Sequence, residues 1–444
     1  MSTDKKGFFT LTYGCQMNER DSETLAGFLQ DMGYVATEDA EEAAIFLVNS
    51  CCVRESAERK ILGKIGELRK YKMADPGVII AVGGCMAQQP HMVEKLRNSY
   101  PYVDLIFGTH NLHRLPQMLT ECLQSGERVI DVWTTEGEIH EDLPARQANG
   151  LKAHVTIMYG CNNFCSYCIV PYVRGRERSR LPGDVIAEIT ALAVQGVQEV
   201  TLLGQNVNSY GKDLENPLSF ADLLRQVGQV EGIKRVRFMT SHPKDVEPEL
   251  IAAMAEVPAL CPHIHLPVQA GSDRILRAMN RYYTRQDYLL LLGRLRAAVP
   301  HLAVTTDIIV GFPGETDEDF ADTLDLVRKA QFDHAFTFLY SKRSGTPAAE
   351  LPEQIDGETK RNRFQQLLAL QNEISLAINQ RLLGQVVDVL VEGRSKNDAT
   401  RLTGRTGSNK IVVFPGDDQL IGQTVAVKIN EVRTWTLLGE QLAK

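Results

Sequence analysis

Hydrophobic residues in the first third of the chain fall in short unbroken runs, separated by stretches that repeat at helical spacing. Phe8–Tyr13, Ala44–Val48 and Val78–Val82 read as strands. Glu23–Met32, Glu55–Tyr71 and Pro90–Asn98 read as helices. Fully apolar strands alternating with helices predict a parallel sheet covered on both faces. The acidic stretch 135–144 has no periodicity and reads as a linker.

The alternation restarts near residue 150. Strands are predicted at 154–159, 199–203, 235–240, 263–268, 302–310 and 334–340, with helices such as Asp184–Gln195 and Glu318–Ala330 between them. Six such units are too few to close an eight-stranded barrel, so an open, partial (βα)6 barrel is expected. Glu358–Leu383 reads as one long helix with Phe364, Leu367, Leu368, Ile374 and Ile378 on a single face. Beyond it, Val386–Val391, Lys410–Phe414 and Thr424–Val432 are short β runs divided by Gly and Asp turns, the pattern of a small all-β barrel. The chain is therefore read as α/β with three domains, 1–145, 146–378 and 379–444. Its 444 residues agree, at roughly 150 residues per domain.

Composition narrows the class. The chain is 43% hydrophobic and 23% charged, which excludes a largely disordered protein. No run of about 18 apolar residues exists, and the start Met1–Lys6 is polar. No membrane partner is expected, and the cytoplasm is the expected location. The net charge of −8 excludes a basic footprint over the whole chain, so any nucleic acid must be met by a local patch.

Nine cysteines remain: 15, 51, 52, 85, 122, 161, 165, 168 and 261. In a reducing compartment they are not expected to form disulfides. Cys161, Cys165 and Cys168 lie within eight residues, directly after the first barrel strand. Three thiols there suit a [4Fe–4S] cube with one iron left open to chelate a substrate or cofactor. The plainer alternative is zinc, which needs a fourth ligand that no nearby Cys or His supplies. This C-x-x-x-C-x-x-C run resembles the radical S-adenosylmethionine signature. The resemblance implies reductive cleavage of S-adenosylmethionine to a 5′-deoxyadenosyl radical that abstracts hydrogen from carbon. It also implies that Gln205, Ser241, Gln269 and the backbone of Ile309 to Gly311 hold the cofactor. Phe164 and Tyr167 either shield the cluster or simply pack the loop.

Cys15, Cys51 and Cys85 each follow a strand of the amino-terminal sheet. In a parallel sheet such positions share the carboxyl edge, where ligands bind. Three thiols at equivalent turns suit a second cluster with a free iron; the alternative is three buried core cysteines. Cys52 is read as pointing elsewhere, although the choice between Cys51 and Cys52 stays open. Cys122 shares a helical face with Leu115, Met118 and Leu119 and reads as core.

Tyr13-Gly14-Cys15-Gln16-Met17-Asn18, Asn49-Ser50-Cys51, Val82-Gly83-Gly84-Cys85 and the run from Cys161 to Arg180, in this order, resemble the MiaB-type tRNA methylthiotransferases over essentially the whole chain. Ser50 and Cys52 stand where threonine and serine are expected. The resemblance implies an amino-terminal methylthiotransferase domain, a radical domain and a carboxyl-terminal TRAM domain that binds RNA. It implies methylthiolation of C2 of N6-isopentenyladenosine beside the anticodon. It implies two [4Fe–4S] clusters, and S-adenosylmethionine as both radical source and methyl donor. The implied partners are a tRNA anticodon stem-loop, a flavodoxin- or ferredoxin-type electron donor and a sulfur source, met by a monomer. Threonylcarbamoyl-adenosine in tRNA and an aspartate of a ribosomal protein are the alternative substrates. A non-catalytic iron–sulfur electron carrier is the alternative from another class.

Two basic groups are candidates for RNA contact. Arg174, Arg176, Arg178 and Arg180 follow the first cysteine loop, with internal ion pairs as the alternative. Arg394, Lys396, Arg401, Arg405 and Lys410 face only Asp398 in the local sequence.

Overall fold

A computed structural model of the chain describes residues 6–52, 55–137, 139–141 and 150–442. The polar start and the domain boundary at 145 fall outside these residues. The amino-terminal sheet is parallel and has six strands, in the spatial order Val35–Ala36, Gly7–Thr12, Ala43–Ser50, Ile79–Gly84, Leu105–Phe107 and Val129–Asp131. Only three of them were predicted. The other three are two or three residues long, too short to carry a period. Along Ala43–Ser50 the two-residue period of a strand sends Phe46 and Val48 to one face and Ile45 and Leu47 to the other. Helices Glu55–Ala74 and Pro90–Ser99 cover the first face, and Gln16–Asp31 and Leu115–Ser125 the second. Cys122 is buried beside Leu115, Met118 and Leu119, as its helical spacing predicts.

The second region is an open barrel of two three-stranded parallel sheets. One holds Lys152–Thr156, Glu199–Leu203 and Arg235–Phe238; the other holds His263–His265, Ala303–Val310 and His334–Leu339. A single parallel bridge, Val236 to Leu260, leads from the first sheet towards the second. Glu199–Leu203 forms as predicted, the first strand is shifted to Lys152–Thr156, and the other four are one to three residues shorter than predicted. Thr316 and Asp319 form a reciprocal capping box on helix Asp317–Ala330, a device worth about 1 kcal/mol.

Helix Gly357–Gln380 leads into a closed five-stranded barrel. Two of its strands, Asp398–Thr406 and Leu437–Gln441, were not predicted. The barrel is tied to the rest of the chain by buried polar contacts. Arg237 donates to the carbonyl oxygens of Thr406 and Gly407 at 2.9 Å, and Arg235 to that of Arg405 at 2.7 Å. Glu199, 3% exposed, receives Arg237 at 3.2 Å and Lys152 at 3.4 Å. No helix among the described residues is long and apolar enough to cross a membrane.

The stretch 135–144 does not behave as a free linker where it is described. Glu136 accepts from the Arg176 N–H at 2.8 Å, the Gly137 carbonyl accepts from Arg178, and Glu141 pairs with Arg180 at 2.6 Å. Glu138 and residues 142–144 lie outside the described residues.

Candidate active site

The loop Cys161–Cys168 leaves the first barrel strand through a tight antiparallel pair, Met158–Tyr159 with Arg178–Ser179. Gly160 has φ +72°, and a Cβ there would lie 1.9 Å from the Arg176 carbonyl oxygen, so only glycine closes this neck. The Cys161 N–H then donates to the Gly175 carbonyl at 3.0 Å. The far side of the loop is clamped by the segment after helix Asp273–Ala278. Ser166 N–H donates to Met279 O at 3.0 Å, Ser166 Oγ to Ala278 O at 2.7 Å, and Asn280 Nδ2 to Phe164 O at 3.0 Å.

Two side chains donate to the sulfurs. Arg281 Nη1 lies 3.4 Å from Cys165 Sγ, and Asn163 Nδ2 lies 3.4 Å from Cys161 Sγ. Arg281 is itself buried, held by the Pro267 carbonyl at 2.8 Å and Tyr283 Oη at 3.0 Å. Burial pushes the Cys161 thiol up to about 11 and Cys168 up to about 12. Left to themselves these groups stay protonated; a bound iron would supply the positive charge that makes them thiolates. Phe164 packs edge-on against Tyr172 and carries Arg176 over its ring at 4.5 Å, while Tyr167 is packed against a small apolar cluster with Met279 and Tyr340.

The mouth around this loop holds a set of buried polar atoms without partners: Gln205 Oε1, Asn206 Oδ1, Ser241 Oγ, His242 Nε2 and Tyr340 Oη. Each stands at or just beyond the end of a barrel strand. A buried unpaired polar atom is destabilising by about 1–3 kcal/mol, so this concentration marks a place built to receive a polar ligand. Thr240 and Gln269, at φ +68° and +70°, hold strained left-handed conformations at the same level. Gln269 and Ile309 line a groove of about 1060 Å³ together with Cys168 and Tyr340. The Gly311 N–H is already used, donating to Glu315 Oε2 at 2.9 Å, and Lys360 covers its Cα.

The amino-terminal thiols come together as the sheet predicts. The three adjacent strands end in register, Thr12 beside Asn49 and Asn49 beside Gly83, so the residues that follow are neighbours. Cys15 begins helix Gln16–Asp31 directly, seven residues earlier than the helix was predicted to start. A Cβ on Gly14 would come within 2.7 Å of the Cys51 Cβ, so this glycine lets the first two turns touch. Gly83 and Gly84 admit the Phe107 ring and the Asn49 side chain, so they serve packing. Cys52 was expected to point away; it is buried and hydrogen-bonded to Cys85. That bond holds the Cys85 thiol down at about 6, with the Arg174 guanidinium acting the same way against burial. Among the described residues no three His, Cys, Asp or Glu side chains surround one point as the ligands of a single metal ion would. In a [4Fe–4S] cube each thiolate binds a different iron.

The two basic groups are only partly available. Arg174 is 5% exposed, pairs with Asp21 at 2.6 Å and reaches Cys85 Sγ at 3.3 Å. Arg180, 8% exposed, is held by Glu141 and Glu188, each at 2.6 Å. Lys410 is tucked against Asp333 at 2.7 Å and Asn379 at 2.9 Å. These three are structural ion pairs and leave the predicted RNA set, because releasing a buried cation from its carboxylate is costly. Arg176 is exposed, and Arg178 half-buried over Tyr159. In the carboxyl-terminal barrel Arg394 and Lys396 are exposed, Arg401 stands 3.5 Å from Asp398, and Arg405 stands 3.5 Å from Glu392. Arg394 also meets Asp418 at 2.6 Å, a carboxylate distant in sequence. Arg281 was not predicted as a site residue; its place at Cys165 depends on a contact across 116 positions that has no local signal.

A partial parallel barrel with three cysteines on the loop after its first strand defines a radical S-adenosylmethionine enzyme. Residues 155–327 match the model of the radical SAM superfamily, residues 7–108 that of Uncharacterized protein family UPF0004, and residues 380–442 the TRAM domain. A protein of Moorella thermoacetica is 55% identical over 438 residues, covering 99% of each chain. One of Acetivibrio thermocellus is 54% identical over 440 residues, covering 99% of this chain and 92% of that protein. Both are called tRNA-2-methylthio-N(6)-dimethylallyladenosine synthase, and the chain belongs to their family. Among solved structures, the radical S-adenosylmethionine methyltransferase TsrM from Kitasatospora setae aligns with a TM-score of 0.56 at 15% identity. That alignment covers 78% of this chain and 74% of that one; the likeness is one of fold.

Proposed function

We propose that the chain is a tRNA methylthiotransferase that places a methylthio group on C2 of N6-isopentenyladenosine beside the anticodon. The observation that carries this reading is the pairing of two three-cysteine sets at the carboxyl ends of parallel strands in adjoining regions. Arg174 lies six residues after Cys168 and touches Cys85, so the two sets share one wall. The division into 1–145, 146–378 and 379–444 follows: a methylthiotransferase domain, a radical domain and an RNA-binding TRAM domain.

In this reading Cys161, Cys165 and Cys168 hold one [4Fe–4S] cluster, and Cys15, Cys51 and Cys85 hold a second. Cys51 is preferred to Cys52, because Cys51 sits against Gly14 beside Cys15 while Cys52 is turned to Cys85. When bound, the first cluster with S-adenosylmethionine supplies hydrogen abstraction, and the second supplies the sulfur that a further S-adenosylmethionine methylates. The chain's own residues prepare these events. Arg281 and Asn163 donate N–H groups to thiolate sulfur and fix the loop. Gln205, Ser241, Gln269 and Ile309 bind S-adenosylmethionine, the first two with polar atoms that have no other partner. Arg176, Arg178, Arg394, Lys396, Arg401 and Arg405 meet RNA phosphates. A flavodoxin- or ferredoxin-type donor and a separate sulfur source complete the system, with the enzyme a cytoplasmic monomer.

The test is anaerobic reconstitution followed by mass analysis of nucleosides from an isopentenylated anticodon stem-loop RNA. A 2-methylthio product supports the reading. Product only from threonylcarbamoyl-adenosine RNA or from a ribosomal protein aspartate moves the enzyme to its sister substrates. Failure to cleave S-adenosylmethionine after reduction leaves an electron carrier.

A further inference from the structure

We infer that an aromatic strip from Phe336 to Trp435 is a stacking platform for unpaired RNA bases flanking the target nucleotide, an inference that rests on the RNA substrate proposed above. Strand His334–Leu339 is the outer strand of its sheet, and Phe336 on it is 42% exposed. The His334 ring stands edge-on between two larger rings. Its centroid is 4.6 Å from Phe336 at 86° and 4.9 Å from Trp435 at 79°. Trp435 belongs to the carboxyl-terminal barrel and is 54% exposed. Its turn is fixed, since Asn379 Nδ2 donates to the carbonyls of Arg433 at 2.9 Å and Thr434 at 3.1 Å. A large aromatic held rigidly in solvent presents a flat face at little entropic cost on binding.

The strip continues the groove described above. Phe336 lines the same 1060 Å³ groove as Cys168, so the aromatic row leads from the cysteine loop out to the TRAM barrel. The groove is also lined by Arg59, Lys342, Arg343, Lys360 and Arg361 in a chain whose net charge is −8. Cations beside flat aromatics are what a single strand requires: charge for its phosphates and π-faces for its bases. Neither TRAM membership nor the cysteine motifs assign this strip.

The full-length reconstituted enzyme is assayed with the isopentenylated stem-loop RNA. Trp435→Ala is expected to raise the KM for RNA about tenfold with kcat nearly kept, and Trp435→Phe to restore most of the loss. Phe336→Ala should act in the same direction. In a Trp133→Phe background Trp435 is the sole indole, and RNA should quench its fluorescence saturably. Melting temperatures of the variants should stay near wild type, since the side chain is mostly exposed. If wild type forms product while KM and fluorescence ignore both the substitution and the RNA, the platform is overturned. If the same variants instead lose turnover only with a protein reductant, the strip is a protein-docking face and the inference is equally overturned. If wild type neither binds RNA nor forms product, the substrate reading fails first.

Discussion

Arg174 Nε lies 3.3 Å from Cys85 Sγ, so a side chain of the radical domain touches a thiol of the amino-terminal sheet. The same guanidinium pairs with Asp21 at 2.6 Å, with both partners nearly buried. Removing it strands a buried carboxylate. Arg174→Ala is expected to cost about 3–5 kcal/mol of stability, read by denaturant unfolding. A second readout separates charge from structure. In a protein with Cys161, Cys165 and Cys168 changed to Ala, only the second cluster remains. Its midpoint potential should fall in the Arg174→Ala variant, because a nearby cation favours the reduced state, and Arg174→Lys should recover part of it. An unchanged potential would make Arg174 a structural tie and nothing more.

Iron counting tests the two cysteine sets. Well-reconstituted wild type should hold about eight irons per chain, and loss of either set should leave about four. Wild type saturating at four would remove the second cluster.

Function separates the sets differently. Changing Cys15, Cys51 and Cys85 to Ala should spare reductive cleavage of S-adenosylmethionine while abolishing the methylthio nucleoside, both read by mass spectrometry. RNA binding should persist, since its phosphate contacts lie on other residues. Wild-type levels of methylthio product would refute a role for these thiols.

Stability should fall with acid through His263. Burial first, then the charges of Arg237, His265, Arg405 and Lys410, hold its folded pKa down at about 3. The unfolded value is near 6.5. Between these two the unfolded state binds the extra proton, so stability decreases as pH falls below 6.5. The contribution at pH 5 is a loss of about 2 kcal/mol. His263→Gln should flatten the slope of unfolding free energy against pH over this window by about one proton. An unchanged slope would mean that the imidazole titrates normally in the folded chain.

Much of this architecture is legible in the sequence because it is written locally. Ile79 to Val82 are apolar in succession, and a cysteine follows each of the strands Gly7–Thr12, Ala43–Ser50 and Ile79–Gly84 within three residues, so strand, turn and thiol are seen together. The three-residue strand Leu105–Phe107 is hidden because it is shorter than any period. Strand Asp398–Thr406 is hidden because a small barrel needs only Leu402, Gly404 and Thr406 inward, and its other positions are polar. Which of the basic residues are paired internally is hidden for another reason. Arg174 finds Asp21 across 153 positions and Lys410 finds Asp333 across 77, and local composition cannot report such partners. The same holds for Arg281, which reaches Cys165 from 116 residues away.

The polar ties between the two barrels have one more consequence. Arg235, Arg237, Asn379 and Lys410 sew the small barrel to the radical barrel at several points, and helix Gly357–Gln380 runs alongside the edge strand His334–Leu339 into it. The span from Cys168 to the Trp435 turn is therefore a constant of the molecule. On the proposed reading, a nucleic acid gripped at the outer end and reacting at the inner end would be measured against a ruler, and a loop one nucleotide too short or too long would present the wrong base.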